Sequence, residues 1–238
     1  MVFAAILAGG IGSRMGNVSK PKQFLKINNK PILIHTLEKF CLDNTFERVI
    51  ILCPEEWIEY TKELVQKYIG EREKVVVIEG GNTRNETIMN SISYIEKNYE
   101  LTDDDIIVTH DSVRPFLTDR IIKDNIKVAK KYGACDTVFG ATDTIVVSTD
   151  GKIISDIPNR ENMYQGQTPQ SFKVKKLKEA YLKLTEEEKA TLTDAAKIFV
   201  IKELPVGLVE GEETNIKVTY QYDLRVAEAL IHEDSDVS

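Results

Sequence analysis

Val2-Phe3-Ala4-Ala5-Ile6-Leu7-Ala8-Gly9-Gly10-Ile11-Gly12-Ser13-Arg14-Met15-Gly16 passes from an unbroken apolar run straight into glycines. An apolar run without polar alternation is expected of a strand covered on both faces. The same order recurs down the chain. Pro31 opens a helical pattern with Ile32, Leu33, Thr36, Leu37 and Phe40 on one face. Residues 49–53 read as a strand stopped by Pro54, and 57–68 as a helix. Residues 74–78 read as a strand ended by Gly80-Gly81, and 83–98 as a helix with Thr83 as a candidate N-cap. A strand over 105–109, a helix over 119–132 and a fifth strand over 135–140 follow. Strand then helix, repeated, predicts right-handed crossovers. The fold class is therefore α/β, a Rossmann-like, mostly parallel sheet with helices on both faces. Ligands of such sheets sit beyond the carboxyl ends of the strands. Residues 8–23, 80–87 and 110–115 all fall there.

After Gly140 the pattern changes. Residues 144–148 and 152–157 flank Thr149-Asp150-Gly151, a strong hairpin signal. The expectation is one domain over 1–238 with a protruding β-arm at about 142–160, through which two copies form a homodimer. The acidic tail 233–238 is expected to fray.

Composition narrows the function classes. The chain has 238 residues, 42 % apolar and 29 % charged, with a net charge of -7. No broad basic surface is expected, so duplex nucleic acid is not an expected partner. Cys41, Cys53 and Cys135 are odd in number and far apart, without a CxxC pair; neither zinc nor a disulfide framework is suggested. The opening apolar run has no basic leader and is too short to span a bilayer, so the expectation is a cytoplasmic protein with no membrane partner.

The first loop is a phosphate-loop candidate, because glycines let successive N–H groups point at an anion. Arg14, Lys20 and Lys22 are placed to add charge to the same hollow. A dinucleotide fingerprint would need a glycine where Met15 stands, and a Walker loop would need a terminal Gly-Lys-Ser/Thr. Gly80-Gly81-Asn82-Thr83-Arg84 is small enough for a base to lie against the backbone. In His110-Asp111-Ser112-Val113-Arg114-Pro115, the carboxylate is placed to hold Mg²⁺ against a triphosphate. His110 reads as a hydrogen-bonded structural histidine. Asp143, Thr144, Arg160, Thr168, Thr193, Asp194 and Lys217 are isolated polar residues; taken alone they read as caps, turns or solvated charges, Thr193 as an N-cap. Asp103-Asp104-Asp105 precedes its strand and reads as a solvated turn.

Leu7-Ala8-Gly9-Gly10-Ile11-Gly12-Ser13-Arg14-Met15-Gly16, Pro21-Lys22-Gln23, Gly80-Gly81-x-x-Arg84, His110-Asp111-x-x-Arg114-Pro115, Thr168-Pro169-Gln170 and Asn215-Ile216-Lys217-Val218-Thr219 together resemble the methylerythritol phosphate cytidylyltransferase family. Several runs are most similar to its ribitol-5-phosphate cytidylyltransferase branch: Leu7 to Gly10, residues 110–116, Ile157-Pro158-Asn159-Arg160, residues 164–170 and 192–199. That branch supplies CDP-ribitol for teichoic acid or capsule. The resemblance implies transfer of CMP from CTP to D-ribitol 5-phosphate with Mg²⁺. The alternatives are methylerythritol phosphate as acceptor, or a nucleotide-binding regulator without turnover. It implies that Arg14, Lys22 and Lys217 act on the α-phosphate and that Asp111 holds the metal. The backbone of Ala8, Gly9, Gly10, Gly12, Gly81 and Asn82, with the Thr87 hydroxyl, would hold the nucleotide. Asp143, Thr144 and Arg160 from a partner's arm, with Thr168 and Thr193, would meet the acceptor.

Overall fold

The computed structural model describes residues 1–10, 20–42, 44–71 and 73–236, the last five as backbone only. Gly12 and Arg14 lie outside the described residues. The first strand, β1 (Val2–Leu7), is followed by a small antiparallel ribbon of β2 (Lys26–Ile27) and β3 (Lys30–Pro31). Then come α1 (Ile32–Cys41), β4 (Arg48–Cys53), α2 (Ile58–Tyr68), β5 (Val75–Glu79), α3 (Arg84–Asn98), β6 (Ile106–Asp111), α4 (Asp119–Tyr132) and β7 (Ala134–Gly140). The second half adds β8 (Tyr164–Lys173), α5 (Val174–Leu182), α6 (Glu186–Ala190), α7 (Ala196–Ile201), β9 (Gly207–Glu210) and α8 (Gln221–Asp236). Helix α8 runs through most of the tail expected to fray.

The main sheet has the order β5-β4-β1-β6-β8-β7-β9. All neighbours are parallel except those of β8, which runs against both β6 and β7. β1 shows why both faces are covered. Ala4 and Ile6 pack with Leu33, Leu37 and Phe40 of α1 and Ile121 and Ile122 of α4. Phe3 and Ala5 point the other way, to Ile88 and Ile92 of α3, Leu177 of α5 and Phe199 of α7. Each fully buried Ile, Leu or Phe side chain contributes about 1.5–3 kcal/mol, so these two layers carry the fold. Helix α4 stops at Gly133, whose φ of 94° is the left-handed cap that glycine adopts without strain.

The chain runs outward from β1 to β4 and β5, then returns to place β6 on the other flank of β1. The loops leaving β1 and β6 therefore part from each other, which opens a crevice at their carboxyl ends. Leu7 and Asp111 are register partners at its floor. A third, small cluster of Ile27, Ile32, Val113, Val218 and Ala227 pins the late loop that carries Lys217 against the loop after β6. Val218 donates its amide to the Val113 carbonyl at 2.9 Å.

The arm departs from the expected hairpin. Its antiparallel pairing is a single bridge between Val147 and Asp156, with Gly151 at φ 71° in the turn. Val146, Val147, Ile153, Ile154 and Ile157 are all exposed there, so nothing within the described chain supports a longer ladder. Among the described residues no helix is long and apolar enough to cross a membrane.

Candidate functional site

The three expected loops meet at the β1/β6 crevice. A cavity of about 280 Å³ is lined by Gly9, Gly10, Lys22, Gly81, Asn82, Thr87, Asp111 and Lys217 among others. Its walls follow from local chemistry. Thr83 caps α3: its hydroxyl accepts from the Glu86 amide at 3.1 Å, while Glu86 Oε2 accepts from the Thr83 and Asn82 amides at 3.2 and 2.9 Å. Gly81 has to be glycine. A β-carbon there would lie 2.4 Å from Glu86 Cβ and 2.9 Å from the Thr87 nitrogen.

Two nucleotide expectations change. Ala8 does not line the cavity. Its amide donates to Leu52 at 2.8 Å and its carbonyl accepts from Gln23 Nε2 at 2.6 Å, so its polar groups hold the loop's start instead. The Thr87 hydroxyl donates to the Thr83 carbonyl at 2.8 Å and accepts from the Gly81 amide at 2.9 Å. It shapes the wall and keeps one lone pair for a ligand. Lys20 is not in the hollow either: its ammonium donates to the Tyr60 hydroxyl at 2.9 Å and lies over that ring.

Asp111 is the electrostatic centre. Its side chain is 7 % exposed, ion-paired to Arg84 and to Lys217 at 2.8 Å, with Arg114 Nε at 3.9 Å. Burial alone would push this carboxyl up; the charges of Arg84, Lys217 and Arg114 outweigh it and hold Asp111 far below the usual range. Three cations around one carboxylate leave the hollow net positive, which suits a polyphosphate. Arg84 Nε and Arg114 Nε are buried donors with no acceptor among the described residues, as expected of a site that receives an anion. A single ionised carboxylate facing a phosphate-sized hollow matches the way Mg²⁺ is held, by one or two carboxylates plus substrate oxygens. No group of three or more His, Cys, Asp or Glu side chains able to hold a metal exists among the described residues.

His110 is fully buried between the Thr168 hydroxyl and the Arg114 carbonyl, each at 3.1 Å, and burial holds its pKa down to about 4. It is a neutral structural residue, as read from the sequence. Thr168 also accepts from the Asp111 amide at 3.2 Å.

A second, smaller cavity of about 130 Å³ adjoins the first. It shares Arg84, Asp111 and Lys217 with it and adds Arg114, Gln167, Thr168, Gln170, Thr193 and Asp194. None of these is apolar. Thr193 lines this cavity but caps nothing; Asp194 Oδ1 accepts the Lys197 amide at 2.9 Å in its place. Asp143, Thr144 and Arg160 are exposed on the arm and line none of these cavities, Arg160 donating to the Thr142 carbonyl at 3.0 Å. Asp103 and Asp104 pair with Lys175 and Lys173 at the surface, as expected of a solvated turn, but Asp105 departs from it: it is buried, pairs with the Met1 amine and accepts from the Thr102 amide at 2.6 Å. Sequence reasoning gave no role of its own to Arg84, Gln167, Gln170 or Asn215. Arg84 was visible in its motif. Gln170 and Asn215 were likewise visible in their motifs, but the part of Asn215 was not: it ties the Lys217 loop to Gln167 and to the Thr168 carbonyl, at 3.0 and 2.9 Å.

A doubly wound sheet with a cationic, glycine-walled crevice at its switch point, opening onto a second polar pocket, defines an α/β nucleotidyltransferase. The chain belongs to the 2-C-methyl-D-erythritol 4-phosphate cytidylyltransferase (IspD) family, whose model matches residues 2–233. It is similar to the solved 4-diphosphocytidyl-2C-methyl-D-erythritol synthase from Anaerococcus prevotii. There the identity is 25 %, the TM-score 0.80, and 98 % of this chain and 96 % of that one are covered. For the Francisella tularensis 2-C-methyl-D-erythritol 4-phosphate cytidylyltransferase the values are 28 %, 0.79, 96 % and 98 %. For the Thermus thermophilus enzyme they are 25 %, 0.73, 98 % and 100 %.

Proposed function

We propose that this cytidylyltransferase transfers CMP from CTP to D-ribitol 5-phosphate, giving CDP-ribitol and pyrophosphate. The observation that carries the acceptor is the lining of the second cavity. Every described side chain there is polar or charged. Both acceptors present a hydroxyl at each carbon not bearing the phosphate, but methylerythritol phosphate adds a methyl branch, which would meet polar groups that it cannot pair. The ribitol-like runs of the sequence agree. Methylerythritol phosphate is the second reading, favoured by the solved relatives.

The first cavity takes CTP, its base against Gly9, Gly10, Gly81 and Asn82. A phosphate oxygen of the acceptor attacks the α-phosphorus. The bond from that phosphorus to the bridging oxygen of the β-phosphate breaks, and pyrophosphate leaves with the electron pair. The acceptor phosphate is already anionic, so no strong general base is needed. Lys22 and Lys217, with Arg14, neutralise charge growing on the α-phosphate. Arg84 and Lys217 stand at the junction of the two cavities, where both phosphates must meet, which is positioning catalysis. Asp111 would hold Mg²⁺, which supplies further charge neutralisation on the triphosphate. Thr168 and Thr193 line the acceptor side. Asp143, Thr144 and Arg160 of a second copy complete it in a homodimer, and the exposed apolar side chains of the arm support that pairing.

The test is pyrophosphate release from CTP and Mg²⁺ with each acceptor in turn. Ribitol 5-phosphate is expected to be turned over at least tenfold more efficiently than methylerythritol phosphate. The reverse ranking would establish the second reading.

A further inference from the structure

Asp136 stands one strand away from the phosphate centre. It lies on β7, where the register with β8 shifts between Asp136 and Val138. Such irregularities re-aim a side chain. Its register partner is Gln170, whose Nε2 donates to Asp136 Oδ1 at 3.0 Å. Gln170 and Gly166 both line the second cavity. The other oxygen, Oδ2, lies toward Gly166: a β-carbon built there would come to 3.8 Å from it. Asp136 is partly exposed and is not itself a lining residue of that cavity; Gly166 and Gln170, which flank its carboxylate, are.

The carboxylate is also under-compensated. Among the described residues no cation lies within 4.0 Å of it, although Arg84 and Arg114 both feel its charge. Asp194, on the same side of the cavity, adds a second negative charge. Burial, with that neighbour, pushes the Asp136 carboxyl up to about 7. A half-buried carboxylate without an ion pair costs folding energy, and such groups concentrate at functional sites. The pocket is thus polarised, with Arg84, Arg114 and Lys217 on one side and Asp136 and Asp194 on the other.

We infer that Asp136 is a specificity residue for the acceptor: Oδ2 accepts a hydrogen bond from a hydroxyl of the polyol tail, while Gln170 fixes the carboxylate. The acidic side repels the acceptor's phosphate and the cationic side attracts it, so the polyol enters with its phosphate toward the α-phosphorus. A methyl branch or an anionic tail facing Asp136 is rejected. The inference rests on the ribitol 5-phosphate reading.

The test measures KM and kcat for ribitol 5-phosphate, methylerythritol phosphate and CTP in the wild type, Asp136→Ala and Asp136→Asn, with thermal unfolding as a check of the fold. A hydrogen bond to a charged group predicts a rise of about 10–100-fold in KM for ribitol 5-phosphate in Asp136→Ala, with the KM for CTP unchanged. Asp136→Asn, nearly the same shape, is expected to rise several-fold, and it carries the test if the alanine variant does not fold. Ribitol 5-phosphate turnover by the wild type with an unchanged acceptor KM in the folded variants overturns the inference alone. A wild type that uses only methylerythritol phosphate overturns the ribitol 5-phosphate reading and this inference with it. A parallel rise in the KM for CTP would mean a general structural role and also count against it.

Discussion

Replacing Gly81 with alanine puts the wall of the first cavity under a load that can be worked out. The new β-carbon would sit 2.4 Å from Glu86 Cβ, 2.8 Å from the Glu86 carbonyl carbon and 2.9 Å from the Thr87 nitrogen. Two of these are backbone atoms and cannot swing away. Relief needs a movement of about 1 Å between the Gly81 turn and the first turn of α3, since ordinary contacts begin near 3.4 Å. That movement pulls apart the Gly81–Thr87 and Asn82–Glu86 hydrogen bonds. Overpacking costs about 1–3 kcal/mol and loss of a capping arrangement about 1 kcal/mol more. At about 2–4 °C per kcal/mol for a chain of this size, Tm should fall by about 4–16 °C. The KM for CTP should rise, because the displaced wall is the one proposed to hold the base. Gly9→Ala is the control. Nothing lies within 4 Å of its added carbon, so its Tm should match the wild type. The assay is thermal unfolding followed by pyrophosphate release against CTP concentration. A Gly81→Ala protein with wild-type Tm and wild-type KM for CTP would refute the close approach argued here.

Lys22→Met and Arg14→Met should each lower kcat by about 10²–10³ in the pyrophosphate assay; full activity in both would remove the proposed charge stabilisation. Asp111→Asn leaves Arg84 and Lys217 facing one another without a neutralising charge. It should cost about 1–3 kcal/mol in a denaturant titration and abolish most turnover, and an active, fully stable variant would contradict the central role of this carboxylate. Asp136 has a folded-state pKa raised to about 7, so the fold disfavours its charged form, and its contribution to stability is lost as pH rises from about 4 through about 7. Asp136→Asn escapes this loss: it should be the more stable protein at pH 8, by roughly 1–2 kcal/mol after solvent screening, with the advantage vanishing toward pH 4. Equal stability at both pH values would contradict the shift. The chain should run as a dimer in light scattering, and Ile153→Asp with Ile154→Asp should favour the monomer; a monomeric wild type would remove the shared-site proposal.

The parts of this fold that were legible from letters are those that one segment specifies alone. β1 and residues 49–53 of β4 are continuous apolar runs, β6 opens on Ile106-Ile107-Val108 before its polar end, and the stripe of Leu33, Leu37 and Phe40 has one helical face. Thr83 with Glu86 three residues on is a capping box in plain sight. β8 was not read, because Gln165, Gly166, Gln167 and Pro169 break any apolar period; its pairing comes from neighbours at both flanks, which no local pattern records. The arm's Asp-Gly turn was legible, but the extent of its ladder depends on what it packs against. At the site, the residue types at the phosphate centre were visible. Which hydrogen bonds they had already made was not, so Ala8, Lys20 and Thr87 looked more available than they are. Asp136 had no sequence signal, since its place beside the cavity depends on a register shift and on a glycine thirty positions downstream.

The reversed direction of β8 has a consequence for how this enzyme can change. Because β8 runs against β6, its first residues arrive at the same end of the sheet where the parallel strands finish. The wall proposed for the nucleotide is therefore built, apart from Lys217, before residue 115, and the wall proposed for the acceptor, apart from Arg84, Asp111 and Arg114, after residue 134. Among the described residues the two share Arg84, Asp111 and Lys217. One half works as a fixed chuck and the other as an exchangeable tool head. Under that proposal, drift in the later half that spares Lys217 can alter which alcohol is activated while leaving the residues proposed to hold CTP in place. A graft of residues 134–217 between family members is the natural unit in which a new acceptor would be inherited or engineered.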